Sequence, residues 1–176
     1  MKTSIALIGF MGTGKTVVGK VLAQKFAKKF IELDAVIEKK AGRSIPEIFR
    51  QDGEIRFREL EIEAVRTVAN KKNVVIACGG GIVLNTINID RLRKESVIIC
   101  LTASPAVILK RTAGDKDGRP LLNVADRRQQ IKKLLQFRRP FYSRAADTMI
   151  NTSRLNINMV VDKILELLEK HESNHR

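Results

Sequence analysis

Aromatic residues and cysteines are scarce in this chain. Phe, Tyr and Trp make up 5% of its 176 residues, with one tyrosine and no tryptophan. Platforms on which single-stranded nucleic acid stacks are therefore few. The two cysteines, Cys78 and Cys100, lie inside apolar runs without the spacing of metal ligands. This pattern indicates buried thiols in a reducing cytosol and argues against a disulfide-bonded secreted protein.

Long hydrophobic runs are also missing. No apolar run approaches the roughly 20 residues that span a bilayer. The apolar stretch at 5–8 leads directly into a Gly- and Lys-containing loop, so it predicts a strand and not a signal peptide. Hydrophobic residues still make up 44% of the chain, enough for the core of one domain. We expect a cytoplasmic protein with no membrane partner.

Acidic residues are outnumbered by basic ones. The chain has 33 Lys and Arg against 19 Asp and Glu, a formal net charge of +14. Such an excess raises a nucleic-acid hypothesis. Each third of the chain carries part of the excess, however, and no basic tail is present, so we expect no nucleic-acid partner. Steering of small anions and a basic surface without function remain open as explanations.

Short apolar runs rich in β-branched residues alternate with longer amphipathic segments. Strands are predicted at 5–8, 30–33, 74–77, 97–101 and 149–150, and helices at 16–26, 34–70, 88–95, 126–139 and 157–170. A further helix is predicted to begin at Ser104 and Pro105, and breaks are expected near Gly42 and Gly53. The helix at 126–139 is predicted to end before Pro140, because proline disfavours helical backbone at the preceding residue. The alternation predicts one α/β domain with a parallel sheet covered on both faces.

Residues 9–16 match the phosphate-loop pattern G-x-x-x-x-G-K-[ST] at every fixed position. Glycines let backbone N–H groups converge on a phosphate, and the helix that follows adds its positive end. Lys15 can reach the β- and γ-phosphates, and the Thr16 hydroxyl can ligate Mg²⁺. The loop follows a predicted strand and opens a predicted helix, which favours nucleotide binding over a simple Gly-rich turn. The predicted ATP-binding residues of the loop are Gly12, Thr13, Gly14, Lys15 and Thr16.

Further short segments follow the loop in a specific order over about 150 residues. They are Leu33-Asp34, the run Gly42 to Phe49, Gly53-Glu54, Phe57-Arg58, Gly79-Gly80-Gly81, Arg119-Pro120-Leu121-Leu122 and Arg138-Arg139-Pro140-Phe141-Tyr142. In this order and spacing the chain resembles the shikimate kinases, small P-loop kinases of aromatic amino-acid biosynthesis.

The resemblance implies a single kinase domain over 1–176. It would have a five-stranded parallel sheet flanked by helices, a substrate-binding helical segment at about 34–60 and a mobile lid at about 114–124. The implied reaction transfers the γ-phosphoryl group of ATP to the 3-hydroxyl of shikimate with Mg²⁺ as cofactor, and we expect a monomer. The alternatives are another P-loop kinase, acting on gluconate or a nucleoside monophosphate, and a nucleic-acid-binding ATPase.

The family pattern also implies which residues bind the acceptor. Those that would hold shikimate are Asp34, Arg58, Gly80, Gly81 and Arg138. Two guanidiniums give a carboxylate planar, paired hydrogen bonds that lysine does not reproduce, and the family spacing selects Arg138 over the adjacent Arg139. Lys15, Asp34 and a lid residue, Arg119, would act in catalysis, with Arg119 also contacting ATP. A helix N-cap is the alternative role for Asp34.

Two positions depart from the family pattern. Glu32 stands where an Asp is usual, and we expect it to lie with Asp34 on one side of a strand and to contact Mg²⁺ through water. A surface carboxylate at a strand end is the alternative. Cys78 replaces the expected Ser or Thr, which weakens the case for a hydroxyl-mediated metal contact there. Arg111 and Arg154 would stack on adenine, with surface charge as the alternative for both.

Overall fold

Five parallel strands form the central sheet of the computed structural model, which describes residues 2–114 and 120–173, the last four of these by backbone only. The strands are β1 (Ser4–Ile8), β2 (Lys29–Glu32), β3 (Val74–Ala77), β4 (Ser96–Thr102) and β5 (Thr148–Asn151). Their order is β2-β3-β1-β4-β5, with every neighbouring pair parallel. The central strands β1 and β3 are buried throughout, as the continuous apolar runs predict.

Seven α-helices and two short 3₁₀ turns connect the strands within the described residues. The helices are α1 (Lys15–Lys25), α2 (Leu33–Ala41), α3 (Ile45–Val68), α4 (Thr86–Glu95), α5 (Pro105–Arg111), α6 (Arg127–Ala145) and α7 (Ile157–Ser173), and the 3₁₀ turns are Ile82–Leu84 and Pro120–Leu122. No helix in the described part of the chain is long and apolar enough to cross a membrane.

The sheet separates two hydrophobic clusters. Ile5 and Leu7 of β1 pack with residues of α1 and α7 on one face, whereas Ala6 and Ile8 join the cluster that contains α3, α4 and α6 on the other. Because side chains alternate across a strand, one short apolar run supplies both clusters. Both cysteines are free and buried, as the sequence predicts.

The strand expected at 30–33 begins and ends one residue earlier than predicted. Strand β2 ends at Glu32, and Leu33 already opens α2. The expectation that Glu32 and Asp34 share one side of a strand is therefore wrong, because Asp34 lies in the first turn of a helix. Both carboxylates nevertheless line the same cleft. Asp34 is not the N-cap residue, since that position belongs to Glu32.

The expected end of a helix before Pro140 is also wrong. Helix α6 continues through Pro140 to Ala145. Proline removes one backbone donor, at a cost of about 3 kcal/mol in a helix interior. Pro140 lies on the exposed face of α6, where water can satisfy the released carbonyl. Two buried side chains of the last turn, Tyr142 and Ala145, pack into the core and hold the helix past the proline.

Helix α3 contains a sharp change of direction at Gly53. Its backbone angles, φ 78° and ψ 176°, are not helical, so two helices meet at this residue. These angles are open almost only to glycine. The first half of α3 begins with a capping box in which the Ser44 N–H donates to the Glu47 carboxylate at 2.8 Å. The second half carries Arg58 toward the carboxyl edge of the sheet.

Candidate active site

A cleft of about 510 Å³ opens at the carboxyl edge of the sheet. Ligands of open α/β sheets bind at this edge, because the loops after parallel strands converge there. The residues that line the cleft are Met11, Gly12, Gly14, Lys15, Thr16, Val17, Glu32, Asp34, Ile45, Phe49, Phe57, Arg58, Glu61, Cys78, Gly79, Gly80, Gly81, Arg111, Pro120, Leu121 and Arg138. The structure thus brings together most of the residues that the sequence selects for ATP and acceptor binding.

The phosphate loop connects β1 to α1, as its sequence predicts. The Lys15 ammonium donates to the backbone carbonyls of Gly9 and Phe10 at 2.8 and 2.9 Å. The buried Thr13 hydroxyl donates to the Phe10 carbonyl at 2.7 Å, so this side chain braces the loop from within. The first residues of α1 present their N–H groups to the cleft. Such a helix N-terminus is suited to bind the phosphates of a nucleotide.

A hydroxyl and a carboxylate meet beside this loop. Thr16 Oγ1 donates to Glu32 Oε1 at 3.2 Å. Burial raises the pKa of Glu32, the hydrogen bond from Thr16 opposes that rise, and the nearby Asp34 carboxylate adds to it. Hard oxygen donors of this kind suit Mg²⁺. Within the described residues no group of three His, Cys, Asp or Glu side chains could hold a metal alone. The residues therefore fit an ion whose other ligands are nucleotide oxygens and water.

Cys78 also lines the cleft, and its side chain is buried. Burial raises the pKa of this thiol well above its ordinary value. The neutral thiol that results is a poor ligand for Mg²⁺, which prefers oxygen. Thr16 and Glu32 are the described residues beside the phosphate loop that could hold such an ion through oxygen.

The turn at Gly79–Gly81 lines the cleft beside the phosphate loop. A Cβ placed on Gly79 would lie 3.0 Å from Glu61 Oε1 and 3.1 Å from Asp34 Oδ1. A Cβ on Gly80 would lie 3.7 Å from Arg138 Nη1, and one on Gly81 would collide with the Arg58 guanidinium. Gly81 therefore leaves the space that the Arg58 side chain occupies. These distances place two guanidiniums and two carboxylates around one short turn.

Arg58 is held by carboxylates on its own helix. Its guanidinium lies 3.1 Å from Glu61 Oε2 and 2.8 Å from Glu54 Oε1. Glu61 is completely buried, and its burial raises the pKa of its carboxyl, although Arg58 opposes that rise. Glu61 is a site residue that the sequence analysis missed. Its position, three residues after Arg58 and seven after Glu54, is the signal that could have revealed it.

Arg138 is the second guanidinium at the turn. Its side chain is buried to 2% exposure and lies 5.7 Å from the centre of the Phe10 ring. Among the described residues, no hydrogen-bond partner faces its Nε and Nη1 atoms. A buried cation with unsatisfied donors is suited to bind a carboxylate, whose oxygens accept hydrogen bonds. The neighbouring Arg139 is exposed on the outer face of α6, so the structure places Arg138 and not Arg139 at the cleft.

The three other predicted arginines have different placements. Arg111 lines the cleft, but its guanidinium donates to the Thr152 carbonyl at 2.9 Å and to the Gly12 carbonyl at 3.2 Å. It therefore braces the phosphate loop against the segment after β5. Arg154 is exposed and is not among the residues that line the cleft. Arg119 lies outside the described residues, as do residues 115–118 of the lid expected at about 114–124.

The parallel sheet, the phosphate loop and the acceptor cleft beside it define a P-loop kinase. The family model for shikimate kinase matches residues 11–169. The chain therefore belongs to the shikimate kinase family.

Curated relatives and solved structures agree with this assignment. The chain is 45% identical over 168 residues to a shikimate kinase of Pelotomaculum thermopropionicum, covering 96% of each protein. It is 47% identical over 167 residues to one of Thermodesulfovibrio yellowstonii, covering 95% of each. It also resembles the structure of shikimate kinase from Acinetobacter baumannii in complex with shikimate, with a TM-score of 0.93, 34% identity and coverage of 97% and 95% of the two chains.

Proposed function

We propose that this chain transfers the γ-phosphoryl group of ATP to the 3-hydroxyl of shikimate, a step of aromatic amino-acid biosynthesis. The observation that carries the proposal is the convergence of Arg58 and Arg138 on the Gly79–Gly81 turn, in the cleft that also contains the phosphate loop. Two guanidiniums at one turn suit an acceptor with a single carboxylate. Family membership makes shikimate the acceptor with which these residues agree.

The phosphate-binding residues have a mainly electrostatic role in this reaction. Phosphoryl transfer passes through a loose transition state, so positioning and charge neutralisation provide most of the catalysis. Lys15 leaves the carbonyls of Gly9 and Phe10 to bind the β- and γ-phosphates. Arg119 adds a second cation, as the family resemblance implies. Exclusion of water from the cleft suppresses hydrolysis of ATP.

Thr16 and Glu32 would hold the magnesium ion, Thr16 through its hydroxyl and Glu32 through water. The bound ion supplies positive charge at the phosphate oxygens. Glu32 must be ionised for this role, because a protonated carboxyl competes poorly for a cation. Because the Thr16 hydroxyl donates its proton to Glu32 Oε1, the lone pairs of its oxygen are available to the ion.

Asp34 and the two arginines orient the acceptor. Arg58 and Arg138, with the N–H groups of Gly80 and Gly81, hold the carboxylate at one end of the shikimate ring. Asp34, beside Gly79, accepts the hydrogen bond of the 3-hydroxyl and takes its proton as the new P–O bond forms. The hydroxyl oxygen is thereby aimed at the γ-phosphorus, and the departing oxygen remains on ADP.

The partners of the chain in this proposal are two small anions, ATP and shikimate. We assign it to the cytoplasm as a monomer, without a nucleic-acid or membrane partner. The net charge of +14 then helps to attract both anionic substrates.

The proposal is tested by measuring ADP release from MgATP with shikimate, gluconate, a nucleoside monophosphate or single-stranded DNA as the added compound. Of these compounds, we expect only shikimate to support ADP release. In the product, ³¹P NMR should find the phosphate on the 3-oxygen. Turnover with another compound and none with shikimate would reject the proposal. Asp34→Asn, expected to be at least 100-fold slower, serves as the control for contaminating kinases.

A further inference from the structure

The hydroxyl of Tyr142 contacts the turn at the centre of the acceptor site. It donates to the Gly80 carbonyl oxygen at 2.5 Å. Tyr142 is buried on α6, four residues after Arg138, so the two side chains project from one face of the helix. No step of the proposed reaction uses this contact.

The contact with the Gly80 carbonyl also affects the Gly81 N–H, because both groups belong to one peptide unit. The Gly80 carbonyl and the Gly81 N–H belong to one planar trans peptide, so they point in opposite directions. A hydroxyl that holds the carbonyl therefore also fixes the direction of the Gly81 N–H. The Gly81 N–H therefore points away from the Tyr142 hydroxyl, and Gly81 lines the cleft whereas Tyr142 does not. No hydrogen bond recorded among the described residues uses the Gly81 N–H as donor.

The same hydroxyl also lies within the field of Arg138. Burial raises the pKa of Tyr142, and the Arg138 guanidinium opposes that rise. Arg138 Nη1 in turn lies 3.7 Å from the position of a Cβ on Gly80. Tyr142 thus joins the turn to the helix that carries Arg138. A hydrogen bond on the carbonyl also polarises the peptide and strengthens its N–H as a donor.

We propose that Tyr142 is a positioning residue for the acceptor carboxylate. Its hydroxyl holds the Gly80–Gly81 peptide so that the Gly81 N–H points at the carboxylate bound by Arg58 and Arg138. The inference rests on the proposed function, because it takes shikimate as the acceptor.

The first test is Tyr142→Phe, which removes the hydroxyl and keeps the buried ring. The loss of one hydrogen bond is expected to raise the KM for shikimate about three- to tenfold. The KM for ATP and kcat should stay within about twofold, because the peptide acts on the carboxylate and not on the phosphate. Ser143→Ala is the matched control, since it deletes the exposed hydroxyl of the next residue on α6. That variant should behave as the unchanged chain.

The second test uses the absorption of Tyr142 itself. The chain has one tyrosine and no tryptophan, so its near-ultraviolet absorption band reports this residue with little interference. Titration of the unchanged protein with shikimate, without ATP, is expected to shift that band. The shikimate concentration at the midpoint of the shift should equal the midpoint of binding measured by calorimetry. This readout does not depend on whether Tyr142→Phe is stable.

The outcomes separate this inference from the proposed function. If the unchanged chain does not phosphorylate shikimate, the proposed function fails. If it does, and Tyr142→Phe has the shikimate KM of Ser143→Ala, Tyr142 has no positioning role. Calorimetric binding of shikimate without a change in the tyrosine band would overturn the inference as well, even if Tyr142→Phe proved too unstable to assay.

Discussion

The completely buried carboxylate of Glu61 lies 3.1 Å from the guanidinium of Arg58, one turn away on the same helix. Glu54 contacts the same guanidinium from the preceding turn. Arg58 thus reaches the Gly79–Gly81 turn with its orientation fixed and part of its charge balanced. Arg138 has no such carboxylate partner among the ion pairs of the described residues, so it contributes the less compensated charge to the acceptor site.

Removal of Arg58 should therefore destabilise the fold as well as the site. Arg58→Met leaves Glu61 as a buried carboxylate without its main cation, and we expect the free energy of unfolding to fall by about 3 kcal/mol at neutral pH. Urea denaturation measures the change. Arg56→Met is the matched control, because Arg56 forms the same i,i+3 ion pair with Glu59 on an exposed part of the helix. Loss of that pair should change the free energy of unfolding little, because solvent screens exposed ion pairs.

The loss caused by Arg58→Met should depend on pH. The folded-state pKa of Glu61 lies above the ordinary value of 4.5, and the loss of Arg58 raises it further. The native state then holds a proton that the unfolded chain releases, so stability falls as the pH rises between the two pKa values. The deficit of the variant should therefore shrink as the pH is lowered toward 4.5. A deficit that stays constant would show that Glu61 is not its cause.

Replacement of Glu32 should act on the metal and not on the acceptor. Glu32→Gln removes the charge beside Thr16, and we expect the Mg²⁺ concentration for half-maximal activity to rise about tenfold. Glu32→Asp keeps the charge and should recover much of the loss. Shikimate affinity measured without ATP should not change. If Glu32→Gln changed the shikimate affinity and left the Mg²⁺ dependence unaltered, the assignment of Glu32 to the metal would be wrong.

The raised pKa of Glu32 predicts a pH effect on the unchanged protein. Because burial favours the protonated carboxyl, Mg²⁺ affinity should begin to fall at a higher pH than for an exposed glutamate. Activity at limiting Mg²⁺ should therefore decline on acidification before activity at saturating Mg²⁺ does. Steady-state rates at two Mg²⁺ concentrations across an acid pH series measure the difference. Coincident profiles would argue against ionised Glu32 as a partner of the ion.

The shape of the Arg138 side chain should matter as much as its charge. Arg138→Lys keeps the charge but loses the planar pair of donors, so we expect the KM for shikimate to rise by about tenfold or more. The KM for ATP should stay within about twofold. Arg139→Lys, at the exposed neighbour, should have little effect on either constant. An unchanged shikimate KM in Arg138→Lys would remove this residue from the acceptor site.

The junction at Gly53 should depend on the absence of a side chain. A Cβ at Gly53 meets no atom within 4 Å, so any cost of Gly53→Ala comes from its backbone angles alone. We expect a loss of about 2 kcal/mol in the free energy of unfolding, since these angles are open almost only to glycine. Gly42→Ala, in an ordinary left-handed turn, should cost about 1 kcal/mol. Equal losses in the two variants would contradict the assignment of Gly53 as a specific junction.

The local patterns in the sequence predict the sheet and the phosphate loop well, because both depend on residues close together in the chain. The end of α6 depends instead on tertiary packing. Pro140 favours termination locally, but the burial of Tyr142 and Ala145 carries the helix past it. Similarly, Leu33 completes an apolar strand pattern yet opens a helix, where it is completely buried. In both places, burial in the core prevails over the local preference.

The site residues also divide into those that the local sequence reveals and those that depend on tertiary packing. Residues 9–16 form a continuous motif and are found from sequence alone. Glu61 has the i,i+3 spacing of an ion pair with Arg58, but the local sequence does not show that this pair or the Tyr142 hydroxyl points inward from a long helix. Arg111 has an expected place in the cleft but an unexpected partner, the Gly12 carbonyl. Such contacts depend on how the loops after different strands meet.

The central claim is that Arg58 and Arg138 bind the carboxylate of shikimate while Asp34 holds the hydroxyl that is phosphorylated. A crystal structure of the chain with shikimate and ADP tests it most directly. We expect the carboxylate within hydrogen-bond distance of both guanidiniums and the 3-hydroxyl within hydrogen-bond distance of Asp34. A carboxylate bound away from both arginines, or a different hydroxyl on Asp34, would contradict the account.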